Sequence, residues 1–193
     1  VVHLNVENNK NAYYYAIVTY GGGFADNGLS QLNELLLKTH GVKLNYGQKI
    51  KMFSNYVIKY DMEKDISKIL ESSEEALLKA ISDIGNGKSL PVRKSNALLN
   101  AVNRNFLKKA PNMAKDYTVD GNCTGCGICA EVCPADNVAL ADGKPLFRAV
   151  CEQCMACIQY CPQRAINYKN KTQNRGRYTH PEIGHAELLG YRG

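Results

Sequence analysis

The eight cysteines of the chain all fall between Cys123 and Cys161, in two runs of identical spacing. The first reads CTGCGICAEVCP from Cys123 to Pro134 and the second CEQCMACIQYCP from Cys151 to Pro162, with 17 residues between Cys133 and Cys151. Each is Cys-x2-Cys-x2-Cys-x3-Cys-Pro. Cysteines three residues apart on a tightly wound loop bring three sulfurs around one small volume, and a fourth must come from elsewhere. A four-iron cluster needs four thiolates pointing inward in this way. A structural zinc site takes two cysteine pairs and has no use for the third cysteine or the Cys-Pro. Four disulfides would suit a small secreted chain, and no secretory signal is visible. The iron-sulfur reading therefore leads, and cysteine at all eight positions argues against a three-iron site in either half.

The two runs belong to a longer internal repeat. CTGCGICAEVCPADNVAL aligns without a gap with CEQCMACIQYCPQRAINY, 28 residues further on, which predicts a pseudo-twofold domain. On these residues the segment from about Tyr117 to Tyr168 resembles a bacterial-type ferredoxin carrying two four-iron clusters. The resemblance implies that the cysteine before each proline serves the other half's cluster. Cys123, Cys126, Cys129 and Cys161 would then hold one cluster, and Cys133, Cys151, Cys154 and Cys157 the second. It also implies that Ala165 to Tyr168 returns as a strand beside Tyr117 to Val119. A segment of about fifty residues with so few large apolar side chains could hardly stay folded alone, so the metal is expected to be part of the core. Gly125, Gly127 and Ala156 are small enough to let backbone N–H groups approach the sulfurs and tune them.

Length bounds the rest. A chain of 193 residues, 45% hydrophobic, holds one moderate domain and a small one. No apolar run reaches the length that spans a bilayer, so no membrane partner is expected, and the reduced thiols point to the cytoplasm. The formal charge of +6 treats the cysteines as neutral. Two oxidised clusters, each with roughly two negative charges, bring it to about +2.

In the N-terminal half, Val2, Leu4 and Val6 alternate with polar residues over a stretch too short to assign. AYYYAIVT, Ala12 to Thr19, is apolar on both faces and reads as a strand buried between layers. It ends at Gly21, Gly22 and Gly23. Asp26 and Asn27 offer caps for a helix whose stripe is Leu29, Leu32, Leu35, Leu36 and Leu37, with Gly41 as the stop. Val42 to Met52 alternates as an edge strand does. Asp61 then opens a helix in which Ile66, Ile69, Leu70, Leu77, Ile81 and Ile84 recur at helical spacing until Gly85.

This β-α-β-α order, with a glycine turn after the first strand, resembles the second half of a flavodoxin-like domain. Joined to the eight-cysteine module, the chain resembles the EFR-type ferredoxins, in which a flavodoxin-like domain precedes a two-cluster ferredoxin. The resemblance implies a fold that is α/β plus α+β: a partial flavodoxin-like half-domain at 1–85, a basic helical connector at 86–116, a ferredoxin-like domain with two [4Fe-4S] clusters at 117–169, and a polar tail at 170–193. It implies that Thr19, Tyr20, Gly21, Gly22 and Gly23 would lie beside a flavin ring. The same glycines serve as a plain strand-to-helix turn. The chain departs from that family in having no Ser/Thr-rich phosphate loop and no room before Val1 for the first three strands. It is therefore expected to be N-terminally truncated, with FMN held only in a longer parent chain.

Between Asn86 and Lys115 stand seven basic residues, Lys88, Arg93, Lys94, Arg104, Lys108, Lys109 and Lys115, and no acidic one. Leu98, Leu99, Val102, Phe106 and Leu107 give the same stretch an apolar face, which predicts a packed connector. Its charges form either a solvated face or a dock for an acidic redox partner. Aromatic platforms are not interleaved with them, so no nucleic-acid partner is expected. His180 and His185 read as surface residues. No nucleophile with a base, no carboxylate pair in a recognisable frame and no nicotinamide fingerprint is present. Electron transfer to redox partner proteins is the first functional reading. A flavin-linked oxidoreductase in the complete parent chain, and a non-catalytic iron-sulfur clamp or sensor, are the alternatives.

Overall fold

The computed structural model describes residues 9–22, 26–62 and 65–189, so the Val2 to Val6 stretch lies outside the described residues. The architecture is mixed α/β and divides into two compact units, one taking Val1–Phe53 and Lys64–Asn103, the other Ser54–Glu63 and Arg104–Gly193. The units interleave along the chain, so no single cut of the sequence separates them. Among the described residues no helix is long and apolar enough to cross a membrane.

In the first unit, strands β1 (Tyr15–Tyr20) and β2 (Tyr46–Lys51) pair in parallel, Tyr15 opposite Tyr46 and Tyr20 opposite Lys51. Helix α1 (Asp26–His40) is the crossover that parallel pairing requires. It stops at Gly41, whose φ of +69° suits glycine and whose N–H donates to the Leu37 carbonyl at 3.1 Å. Asn33 then fixes the way back to the sheet, its Oδ1 accepting the Leu44 N–H at 2.8 Å. Leu29, Leu36, Val42 and Leu44 form the core. Helix α2 (Ser67–Gly85) and helix α3 (Ala97–Lys109) follow.

Several expectations change here. β1 is partly exposed rather than buried, because among the described residues it pairs with β2 alone. α2 begins at Ser67, not Asp61, with the Asp65 carboxylate accepting the Ser67 N–H at 3.0 Å and hydroxyl at 2.6 Å. Asp61 is committed elsewhere, its Oδ1 accepting the Gly176 N–H at 3.0 Å. The face α2 buries carries Ser73, Ala80 and Asp83, while Leu77, Leu78 and Ile81 are exposed. α3 has no buried residue, and Leu98, Val102, Phe106 and Leu107 are exposed. The connector is helical but not packed through its apolar face. A polar network anchors its start instead: Asn27 donates to the Asn100 side chain at 2.7 Å, and Glu34 accepts the Ser95 N–H at 2.9 Å.

The second unit contains two small antiparallel sheets. β3 (Tyr117–Val119) pairs with β6 (Ile166–Tyr168), Tyr117 opposite Tyr168, as expected for the strand beside Tyr117. β4 (Val138–Ala141) and β5 (Lys144–Phe147) make a hairpin. Short helices α4 (Ile128–Glu131) and α5 (Ala156–Gln159) carry the cysteine runs, and α6 (His185–Leu189) follows near the end. The core joins Tyr117, Val138, Met155, Ile158 and Ile166 to Cys129, Cys133 and Cys157. Tyr117 meets Phe147 edge-on with ring centroids 5.1 Å apart.

Segment 54–62 is also part of that core. Val57 is buried, Gln159 Nε2 donates to the Asn55 carbonyl at 2.7 Å, and Arg175 donates to the Val57 carbonyl at 2.6 Å. The stretch after 169 contributes too: Thr172 is fully buried, accepting the Tyr168 N–H at 3.0 Å and donating to Asn167 at 3.1 Å.

Val57→Ala should therefore destabilise the second unit by about 1–3 kcal/mol. Hydrogen exchange checks it: the amides of β3 and β6 lose protection while those of β1 and β2 keep theirs. In the first unit, hydrogen bonds from Lys79 and then Lys88 hold the Asp83 carboxylate down from 3.8 to about 2. Because the folded value is the lower one, this stabilisation is present above pH 3.8 and is lost as pH falls through about 2. Asp83→Asn should flatten that acid limb, read from denaturant midpoints against pH.

Candidate iron-sulfur centre

The internal repeat is written in the backbone as well as in the cysteines. Left-handed residues recur at the 28-residue offset: Gly125 with Gln153, Gly127 with Met155, Asp136 with Arg164, and Asp142 with Asn170. α4 and α5 start at matching positions, each immediately after one of these left-handed residues. A left-handed residue turns the chain sharply enough for successive cysteines to face one centre. In the first half glycine is obligatory, because a Cβ on Gly125 would lie 2.6 Å from the Gly143 carbonyl oxygen.

Two cavities result. The first is lined by Cys123, Cys126, Cys129 and Cys161, with Ile128 and Leu140 beside them. The second is lined by Cys133, Cys151, Cys154 and Cys157, with Tyr117 and Met155 beside them. Each therefore takes three cysteines from one half of the repeat and one from the other. No cysteine is joined in a disulfide. Exposure follows the repeat at three pairs, with Cys129 and Cys157 buried, Cys123 and Cys151 half-buried, and Cys126 and Cys154 exposed, while Cys133 is buried and its mate Cys161 half-buried.

These residues suit a polynuclear cluster. Among the described residues, no three His, Cys, Asp or Glu side chains gather closely enough to hold a single ion. Four thiols line each cavity instead, the number that a four-iron cluster with one thiolate per iron takes. Burial pushes the Cys129 thiol up to about 11 and the Cys157 thiol well above its ordinary value, with neighbouring thiols adding to both shifts. Cationic iron would offset that cost by taking the thiolate form.

Backbone N–H groups are directed at the sulfurs. Asn137 donates to Cys133 Sγ at 3.2 Å and Ala165, its repeat mate, to Cys161 Sγ at 3.3 Å. Ala130 and Ala156 donate to Cys129 and Cys154, lowering those thiols against the effect of burial. Three further residues, Tyr117 in the second cavity and Gln153 and Tyr56 behind Cys151, escape a reading of motifs. Gln153 Nε2 donates to Cys151 Sγ at 3.2 Å, and the Tyr117 hydroxyl lies 3.9 Å from the same sulfur. Burial, then the Cys157 and Cys151 thiols, push Tyr117 well above the ordinary phenol range, so its hydroxyl keeps its proton. The signal available in the sequence was that Gln153 stands where the first half of the repeat has Gly125.

The turn that the resemblance places beside a flavin closes β1 in the first unit. Thr19 and Tyr20 end β1, Thr19, Gly21 and Gly22 are exposed, and Gly23 falls outside the described residues.

Residues 122–166 match the family model of a 4Fe-4S dicluster domain. No curated protein and no solved structure matches the chain. The family match supports iron-sulfur electron transfer in general, and carriers of this kind pass electrons to redox partners.

Gly125→Ala should destabilise the cysteine-bearing unit by more than about 1 kcal/mol, from the left-handed backbone and the clash with the Gly143 carbonyl together. Gly121→Ala, where nothing lies within 4 Å of the added Cβ, is the control in the same denaturant titration.

Proposed function

We propose that this chain is a one-electron carrier with two [4Fe-4S] clusters, one held by Cys123, Cys126, Cys129 and Cys161 and the other by Cys133, Cys151, Cys154 and Cys157. The observation that carries the reading is the exchange of fourth cysteines, Cys161 lining the first cavity and Cys133 the second. When bound, such clusters gain and lose single electrons with little rearrangement. The protein's part is to hold four thiolates around each, to direct N–H groups at the sulfurs, and to set Leu140 beside the first and Met155 beside the second.

The partners are redox proteins. Arg104, Lys108, Lys109 and Lys115 are exposed and carry positive charge on the same unit as the cysteines, which favours docking of an acidic partner through electrostatic steering. In the wider reading the chain is the ferredoxin module of a flavodoxin-ferredoxin fusion. The parallel pair β1–β2 with its crossover α1 supports it, and FMN retained by a longer parent chain is the measurement that would make it a flavin-linked oxidoreductase. A structural clamp is the second reading, favoured by the presence of Cys129, Cys133 and Cys157 within the apolar core. Redox titration separates the two: a carrier cycles reversibly, while a clamp loses its iron on reduction.

Anaerobic reconstitution should yield about eight irons per chain, and the reduced protein should give the EPR signal of two interacting spins. Cys161→Ser should perturb only the cluster of the first half and Cys133→Ser only that of the second. Zinc in place of iron, or both clusters lost equally in each variant with the fold intact, would overturn the assignment. Lys108→Glu with Lys109→Glu should slow partner reduction several-fold at low salt and little at high salt.

A further inference from the structure

At the position after each second motif residue the two halves of the repeat differ in a way their shared backbone does not demand. Gly125 and Gln153 stand at equivalent positions with φ of +72° and +58°. In the first half the Gly143 carbonyl leaves no room for a side chain. In the second half a side chain is present and buried, 6% exposed, with its polar atoms all engaged. Gln153 Nε2 donates to Cys151 Sγ at 3.2 Å and to the Ala110 carbonyl at 3.3 Å, while Oε1 accepts the Tyr56 hydroxyl at 3.3 Å. The Gln153 backbone N–H reaches the same sulfur at 3.4 Å. The Ala110 carbonyl can only accept, so the NH2 end of the amide must be the end beside Cys151. Among the described residues no side chain donates to Cys123, Cys126, Cys129 or Cys161. Their donors are the backbone N–H groups of Ala130 and Ala165.

We propose that Gln153 sets the reduction potential of the cluster held by Cys133, Cys151, Cys154 and Cys157, raising it through the amide hydrogen bond to Cys151, and leaves the other cluster untouched. The inference rests on the two-cluster reading above. A donor aimed at a ligating thiolate stabilises the more negative, reduced state more than the oxidised one. The change concerned is the gain of one electron from an external one-electron reductant, with no bond or proton exchanged at Gln153. Tyr56 acts through Gln153 as a positioning residue, holding the amide oxygen away from the sulfur. The first half has a different device: the half-buried Arg177 guanidinium lies within electrostatic range of Cys161. A change at Gln153 does not alter it.

The test is a redox titration followed by EPR on the anaerobically reconstituted full chain. Gln153→Gly gives the second half the residue of the first and suits the left-handed backbone. With eight irons loaded, one of the two potentials should fall by about a tenfold change in electron partition, roughly 59 mV for one electron, and the other should stay. Repeating the substitution in a Cys161→Ser background, where the second half's ligands are intact, should show the same fall. Tyr56→Phe should move the same potential in the same direction by less. A fully loaded Gln153→Gly protein with both potentials unchanged, or with only the first-half potential moved, overturns the proposal. Should Gln153→Gly load incompletely, unchanged potentials in loaded Tyr56→Phe overturn it instead. Failure of the unsubstituted chain to bind about eight irons would sink the two-cluster reading itself, a result distinct from these.

Discussion

Neither cysteine cavity can be completed by the half of the repeat that contributes most of it. Cys161 stands at the first and Cys133 at the second, so each half reaches over to close the other's site, and the two halves must be together before either has four sulfurs. The rest of the unit serves this arrangement. The β3–β6 pair ties the start of the repeat to its end, and Asp116 binds Lys169 at 3.0 Å beside it. Burying thiols without metal is costly, as the raised values of Cys129 and Cys157 indicate. Cofactor and core are thus one problem rather than two.

What a reader of the sequence can see here follows from what is covalently local. Cysteine spacing, the 28-residue repeat and the strand at Ile166 to Tyr168 are legible because short-range geometry dictates them. α1 is legible for the same reason, with Asp26 at its start and Gly41 after its end. What fails is long-range. Asp61 has the chemistry of a helix cap, yet its carboxylate accepts a hydrogen bond from the Gly176 N–H, 115 residues away. The leucine and isoleucine stripes of α2 and α3 have the right period, but period reports only that a face is apolar, not that anything covers it. Leu77, Ile81, Leu98 and Val102 are exposed.

The site divides in the same way. All eight thiols could be named from spacing, whereas the second-half donors could not. Gln153 lies inside its motif, but Tyr56 comes from a segment with no iron-sulfur signature, and only the fold brings the two within 3.3 Å. The repeat therefore sets a symmetric frame, and single departures from it, Gln153 for Gly125 and Met155 for Gly127, make the two halves chemically distinct.

The insertion of residues 54–62 among partners made much later also bears on synthesis. Val57 waits for Arg175, 118 residues downstream. At ordinary translation speeds of about 5–20 residues per second, the guanidinium leaves the ribosome roughly 6 to 24 s after the carbonyl it binds. Over that interval Val57 and Tyr56 are apolar and aromatic surface on a nascent chain, without the late partner that the folded unit gives them.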